Sequence, residues 1–210
     1  MQQLLLELAP PPPPTLENFF AGRNGAALEA LREALVGGER FVFLWGPGGS
    51  GKTHLLRAFS QTAAGAGVEA GAADDVERLG EAEQIALFDR CNRLRASGGA
   101  LAASAGAPPA GLALRPDLRS RLASGIVLQL HPLSDADKAA ALAAHAADRG
   151  MALDRELIAY LLSHFDRDMG TQIAMLDALD RHSLRRKRPV TLPLIKEALG
   201  LIAVPEARRS

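Results

Sequence analysis

Neither sign of charge predominates in this 210-residue chain, because Lys plus Arg and Asp plus Glu number 24 each. No global electrostatic footprint for nucleic acid or membrane exists, so any DNA contact must be local or made through another protein. A single cysteine, Cys91, excludes an internal disulfide framework and a Cys-based zinc site, and fits a reducing cytosol. His54, His131, His145, His164 and His182 fall at no metal-ligand spacing. No apolar run is long enough to span a bilayer. The short one near Met1 has no basic residue before it and is interrupted by Glu7, which argues against a secretion signal. These absences leave a cytoplasmic globular protein without a membrane partner, and 48% apolar residues supply enough material for a packed core.

The chain reads in three parts: 1–14, 15–133 and 134–210. Pro10 to Pro14 form an unbroken proline run, a stiff extended spacer that detaches the leucine-rich peptide ahead of it. Residues 26–36 carry Leu28, Leu31 and Leu35 at helical spacing and stop at Gly37-Gly38. Phe41–Trp45 reads FVFLW, a continuous apolar run suited to a buried parallel strand. A glycine-rich loop follows, and helical periodicity resumes over 52–64. Residues 63–73 are rich in Ala and Gly, and only 68–70 hints at a strand leading to Asp74-Asp75. A helix over 83–96 and strands over 100–103 and 126–130 complete an alternation of β and α. That order predicts an open parallel sheet flanked by helices, with the ligand at the carboxyl ends of the strands. From Ser134, whose capping box with Asp137 opens a helix, the strands cease. Helices are predicted at about 135–149, 155–164, 168–184 and 192–201.

Residues 46–53 read GPGGSGKT, directly after a strand and at the start of a helix. Gly46, Gly48, Gly49 and Gly51 permit a tight turn whose N–H groups point inward at phosphate oxygens, and Pro47 and Ser50 complete the loop. Lys52 reaches the β- and γ-phosphates as a point charge, Thr53 is an Mg²⁺ ligand, and the helix aims its positive end at the anion. ADP or ATP with Mg²⁺ is the expected ligand. Asp74 would hold the metal through water and Asp75 would orient an attacking water, against the alternative of a solvated acidic turn before the helix at 76–79. Ser104 ends a strand, where a hydroxyl toward the γ-phosphate and a plain turn serine both fit. Arg167 opens a lid helix, where its charge opposes the helix dipole, and a nearby phosphate would explain it.

Together these landmarks resemble the Hda family, the DnaA-related AAA+ proteins that act in regulatory inactivation of DnaA, over nearly the whole chain. Gln3-Leu4-Leu5-Leu6-Glu7-Leu8 resembles the family's Q-L-x-L-x-L sliding-clamp peptide, in which Gln3, Leu4, Leu6 and Leu8 would make the contact. Leu16 to Asn24 is similar to its leading segment, and Ile85-Ala86-Leu87-Phe88-Asp89 to the residues after its acidic strand end. Arg115-Pro116-Asp117-Leu118-Arg119-Ser120-Arg121-Leu122 matches the pattern that carries the arginine finger, which maps to Arg121. Residues 131–138, HPLSDADK, resemble the join of core to lid. Asp166-Arg167-Asp168-Met169 matches the lid motif whose arginine, Arg167, senses nucleotide.

The resemblance implies an α/β P-loop AAA+ core with an open parallel sheet, followed by a small all-helical lid. It implies a negative regulator of replication initiation that binds the DNA-loaded polymerase III sliding clamp, meets DNA only through that clamp, and presents Arg121 to DnaA-bound ATP. Such a protein stimulates its partner's ATPase rather than hydrolysing quickly itself, with ADP the expected occupant of its own loop, and its fold is compatible with homo-oligomerisation. Only 22 positions separate Lys52 from Asp74, room for one helix and one strand where such domains ordinarily place a further strand, so the second strand should be missing from an edge of the sheet. Three alternatives use the same fold. A DnaA-like initiator would need a helix-turn-helix domain after the lid, and the chain stops at Ser210. A helicase loader or transposition helper would not predict the clamp peptide. In a non-catalytic clamp-tethered adaptor, nucleotide would only rigidify the fold and Arg121 would be dispensable.

Overall fold

Phe41–Trp45 forms β1 at the heart of a four-stranded parallel sheet whose order is β2-β3-β1-β4, with β2 at Ala70–Ala73, β3 at Ala100–Ala105 and β4 at Ile126–Gln129. The computed structural model of the chain describes residues 13–164 and 169–186. These divide into two units, Pro13–Leu133 and the residues from Ser134 onward.

Alternation along β1 builds the first unit, since successive side chains of a strand point to opposite faces. Val42 and Leu44 go to one face, where they meet Leu28, Leu31 and Leu35 of α1 (Gly25–Val36) and Leu55 and Phe59 of α2 (Lys52–Ala66). Phe41 and Phe43 go to the other, against Leu87, Cys91 and Leu94 of α3 (Glu81–Ser97) and Leu118 and Leu122 of α4 (Pro116–Ala123). The sheet is therefore sandwiched between two helical layers. Four of the six residues of β3 are alanine, yet all six are buried. It pairs with β1 on one side (Val42 opposite Ala102) and β2 on the other (Gly71 opposite Leu101), so pairing and burial override weak strand propensity.

The short segment between Lys52 and Asp74 holds α2 and β2 and nothing else, as the spacing predicts, and among the described residues no strand covers the outer edge of β2. Several element limits differ from the sequence reading, and two of the differences bear on the site. The strand before Asp74 runs over Ala70–Ala73 rather than 68–70, because its pairing with β3 and not its composition fixes its ends. β3 also continues two residues beyond 103, carrying Ser104 inside the strand.

In the second unit α5 (Asp135–Asp148), α6 (Arg155–His164) and α7 (Met169–Arg186) bury Leu142, Leu157, Leu161, Leu176 and Leu179. The capping box is formed: Ser134 Oγ accepts from Asp137 N–H at 3.1 Å, and the Asp137 carboxylate accepts from Ser134 N–H at 3.2 Å. The nearly buried Asp177 joins α7 to α5 and its cap, its carboxylate lying 2.7 Å from His145 Nε2 and ion-pairing with Arg149 at 3.2 Å. The helix predicted at 192–201 lies outside the described residues. Among the described residues no helix is long and apolar enough to cross a membrane.

Candidate nucleotide site

Residues 46–51 turn from the end of β1 into α2, and the turn tolerates only glycine at two points. A Cβ on Gly46 would stand 2.3 Å from the Leu130 carbonyl oxygen, which belongs to backbone and cannot yield. Gly51 has φ +93°, and a Cβ there would also meet the Phe19 ring at 2.7 Å. Pro47, Gly48 and Gly49 are exposed, as an opening to ligand requires. Lys52 is 9% exposed and its ammonium donates to the carbonyls of Gly46 at 2.7 Å and Pro47 at 3.1 Å, so it lies inside the turn. Ser50 is 4% exposed and its Oγ has no hydrogen-bond partner. The orphaned Ser50 hydroxyl, the ammonium hydrogen that Lys52 does not spend on those two carbonyls and the first turn of a 15-residue helix are donors with capacity left for a ligand. Phosphate oxygens fit that set.

The acidic half is assembled from the ends of β2 and β3. Asp74 follows β2 directly, and its carboxylate accepts from Thr53 Oγ1 at 2.6 Å and from Ser104 Oγ, which is wholly buried. The Asp75 N–H points at Ser104 Oγ at 3.3 Å and at Asp74 Oδ1 at 3.2 Å. Sequence reasoning left Ser104 undecided between ligand and turn; in the fold it is the side chain that orients Asp74. Thr53 and Asp74 together offer hard oxygen donors suited to Mg²⁺. Asp75 differs: its φ of +48° turns it away from extended backbone, and its carboxylate lies 3.5 Å from the exposed Arg78 guanidinium.

The leading segment packs over the start of α2. Phe19 stacks at an angle on His54, 5.4 Å between ring centroids, and His54 Nε2 lies 3.1 Å from the Thr15 carbonyl oxygen. Asn24, 3% exposed, donates to the His131 carbonyl and accepts from its N–H, both at 2.8 Å, tying this segment to the residues after β4. Asn24 closes the leading segment without any sequence mark of this role, and an asparagine before a helix reads as an N-cap unless its distant partner is known.

Arg121 lies in the last turn of α4 with its guanidinium carbon 5.9 Å from the centroid of the Phe88 ring, and among the described residues it has no carboxylate partner. Its neighbour Arg115 is engaged, at 2.9 Å from Asp117 and 3.9 Å from Glu81. The hydrogen bond from Arg115 holds the Asp117 carboxyl below its ordinary range. Burial pushes the Cys91 thiol beneath this surface up to about 11, although Arg121 and Arg95 nearby oppose the rise. Gln3, Leu4, Leu6, Leu8 and Arg167 lie outside the described residues.

Residues 135–199 match the family described as Hda, lid domain. An uncharacterized protein of Haemophilus influenzae is 37% identical over 216 residues, covering 89% of this chain and 94% of its own length. Because 216 exceeds the 210 residues here, that relative carries segments with no counterpart in this chain. Domain III of the Thermotoga maritima replication initiation protein DnaA has the same fold, with TM-score 0.68 at 21% identity over 92% of this chain and 98% of that one. So does AMPPCP-bound DnaA from Aquifex aeolicus, with TM-score 0.65 at 24% identity over 84% and 70%. A lid of this description, a close relative along nearly the whole length and a DnaA-like α/β fold agree with one another, and the chain belongs to the Hda family of DnaA-related AAA+ proteins.

Proposed function

We propose that this protein binds ADP or ATP with Mg²⁺ in the turn after β1, docks on the DNA-loaded sliding clamp through Gln3, Leu4, Leu6 and Leu8, and stimulates hydrolysis of DnaA-bound ATP. The observation that carries the reading is Arg121: it matches the finger motif, and among the described residues no carboxylate consumes its charge. Supplied in trans, a guanidinium neutralises charge that develops on the transferred phosphoryl group, and in GTPase examples this is worth about 10³ to 10⁵ in rate. Nucleotide binding is supported by the orphaned Ser50 hydroxyl and buried Lys52, and by the AMPPCP carried by the similar DnaA. Thr53 and Asp74 would hold Mg²⁺, whose charge would offset that of the phosphates. With Asp75 turned toward Arg78, the protein's own hydrolysis is slow, and its nucleotide mainly orders the fold. Arg167 would sense that nucleotide from the lid.

The test is the turnover of ATP prebound to the host's DnaA in the presence of clamp loaded on DNA. Intact protein should accelerate it, and both Arg121→Ala and Gln3→Ala should abolish the acceleration. Full stimulation by Arg121→Ala would leave an adaptor; none by the intact protein would leave a helicase loader or transposition helper.

A further inference from the structure

The outer edge of β2 is a backbone acceptor and donor row with a trench beside it. Ala100 N–H donates to the Glu69 carbonyl, so Glu69 faces β3. Since backbone groups of successive strand residues alternate in direction, Gly71 and Ala73 also face β3 while Ala70 and Ala72 face outward. Arg90 of α3 touches the Ala70 carbonyl at 3.4 Å; among the described residues nothing meets the N–H or carbonyl of Ala72. Between this edge and α2 lies an open trench of about 440 Å³, lined by Leu56, Arg57, Ser60, Gln61 and Ala72 and ending at Thr53 and Asp74. Edge strands ordinarily carry a lysine, a proline or a bulge that discourages pairing; β2 reads Ala-Gly-Ala-Ala and has none.

We propose that this edge is a strand-addition site for an acidic extended segment of a partner protein. Charge selects the occupant. Arg57 on the α2 face is exposed and has no carboxylate partner among the described residues, and Arg90 on the α3 face is exposed with only a backbone contact. Adjacent residues of an added strand point to opposite faces, so a neighbouring pair of carboxylates would meet Arg57 with one and Arg90 with the other. A second copy of this chain fits worse. Antiparallel pairing through Ala70 and Ala72 puts a two-fold axis at Gly71, which sets Arg57 against Arg57 and Arg90 against Arg90. An added strand also fixes β2, and with it Asp74, so occupancy of the edge and Mg²⁺-nucleotide binding should strengthen each other. The site itself stands independently of the DnaA reading.

The experiment titrates the isotope-labelled full chain with a capped decapeptide of alternating Val and Thr interrupted by a central Glu-Glu pair, and with its Lys-Lys counterpart. The acidic peptide should shift the amides of Ala70 and Ala72 more than those of Gly71 and Ala73. Ala72→Pro, which deletes an outward N–H and no bond to β3, should weaken binding about tenfold or more. Arg57→Glu and Arg90→Glu should each weaken it about threefold to tenfold, with melting temperatures of all three variants near that of the parent. Equal binding of the Lys-Lys peptide, indifference to Ala72→Pro, or no binding at all would each overturn the proposal. So would a dimer in sedimentation that Ala72→Pro dissolves, since the edge would then belong to a second copy.

Discussion

β1 and β2 hold two halves of one site on unequal foundations. β1 is central, bonded on both sides, and built of Phe, Val and Leu that anchor both faces of the sheet, so the turn that follows it starts from a fixed point. β2 is an edge of Ala and Gly, bonded on one side, and Asp74, which follows it directly, is held by two hydroxyls as well as by the end of that strand. A phosphate turn demands sub-ångström backbone placement, whereas a carboxylate that meets a metal through water tolerates more play. The stiffer foundation thus lies under the part that needs it.

The sharpest way to break this comparison is in the strands themselves. Phe43→Ala should cost about 3–5 kcal/mol in urea unfolding, as expected for truncating a buried aromatic, while Ala72→Val on β2 should stay within about 0.5 kcal/mol. Equal losses would mean that β2 is as integral as β1. Next in size, Lys52→Ala should lower affinity for a fluorescent ADP analogue on the order of 100-fold, since it removes a buried charge that faces the anion. Asp74→Asn should remove only the part of the affinity that Mg²⁺ adds; a metal-independent loss would place the carboxylate in the fold rather than the site. Asn24→Ala deletes two bonds to His131 and leaves that half-buried backbone unpaired, for about 2 kcal/mol of stability. Ser104→Ala should cost about 1 kcal/mol and weaken Mg²⁺-dependent binding more than metal-free binding.

The smallest effect is one of pH. Asp117 has its carboxyl held below the ordinary value by Arg115, so its folded form binds a proton less readily than its unfolded form. The stability this confers is complete above the ordinary carboxyl range and fades as pH falls through the depressed value. The gap between parent and Asp117→Asn in urea midpoint should therefore be widest near neutrality and close in acid; a gap that widened in acid would reverse the assignment.

What could be read from the sequence divides along the same line as the two strands. FVFLW followed by GPGGSGKT states β1, the turn and α2 in local chemistry alone, and the 22-position spacing after Lys52 announces the missing strand. The limits of β2 could not be read, because Ala and Gly have no face preference and the register with β3 decides where the strand begins. Ser104 and Asn24 escaped for a related reason: each is defined by a partner 30 or 107 positions away, and a polar side chain carries no sign of such a partner. Arg121 could be matched to a motif, but only the fold shows that Arg115, six residues earlier, takes up the nearby carboxylates while Arg121 lies on a ring.

The reciprocal bonds between Asn24 and His131 have a topological consequence. They bring together Asn24, just ahead of α1, and His131, just after β4, so the span that holds every described helix and strand of the unit Pro13–Leu133 is strung as a closed ring whose seam is two hydrogen bonds. A ring has no obligatory beginning. Within that unit the order of strands in the gene is therefore free to be rotated, with a short linker across the seam and new ends opened at the exposed turn of Gly67, and the same sheet should still form.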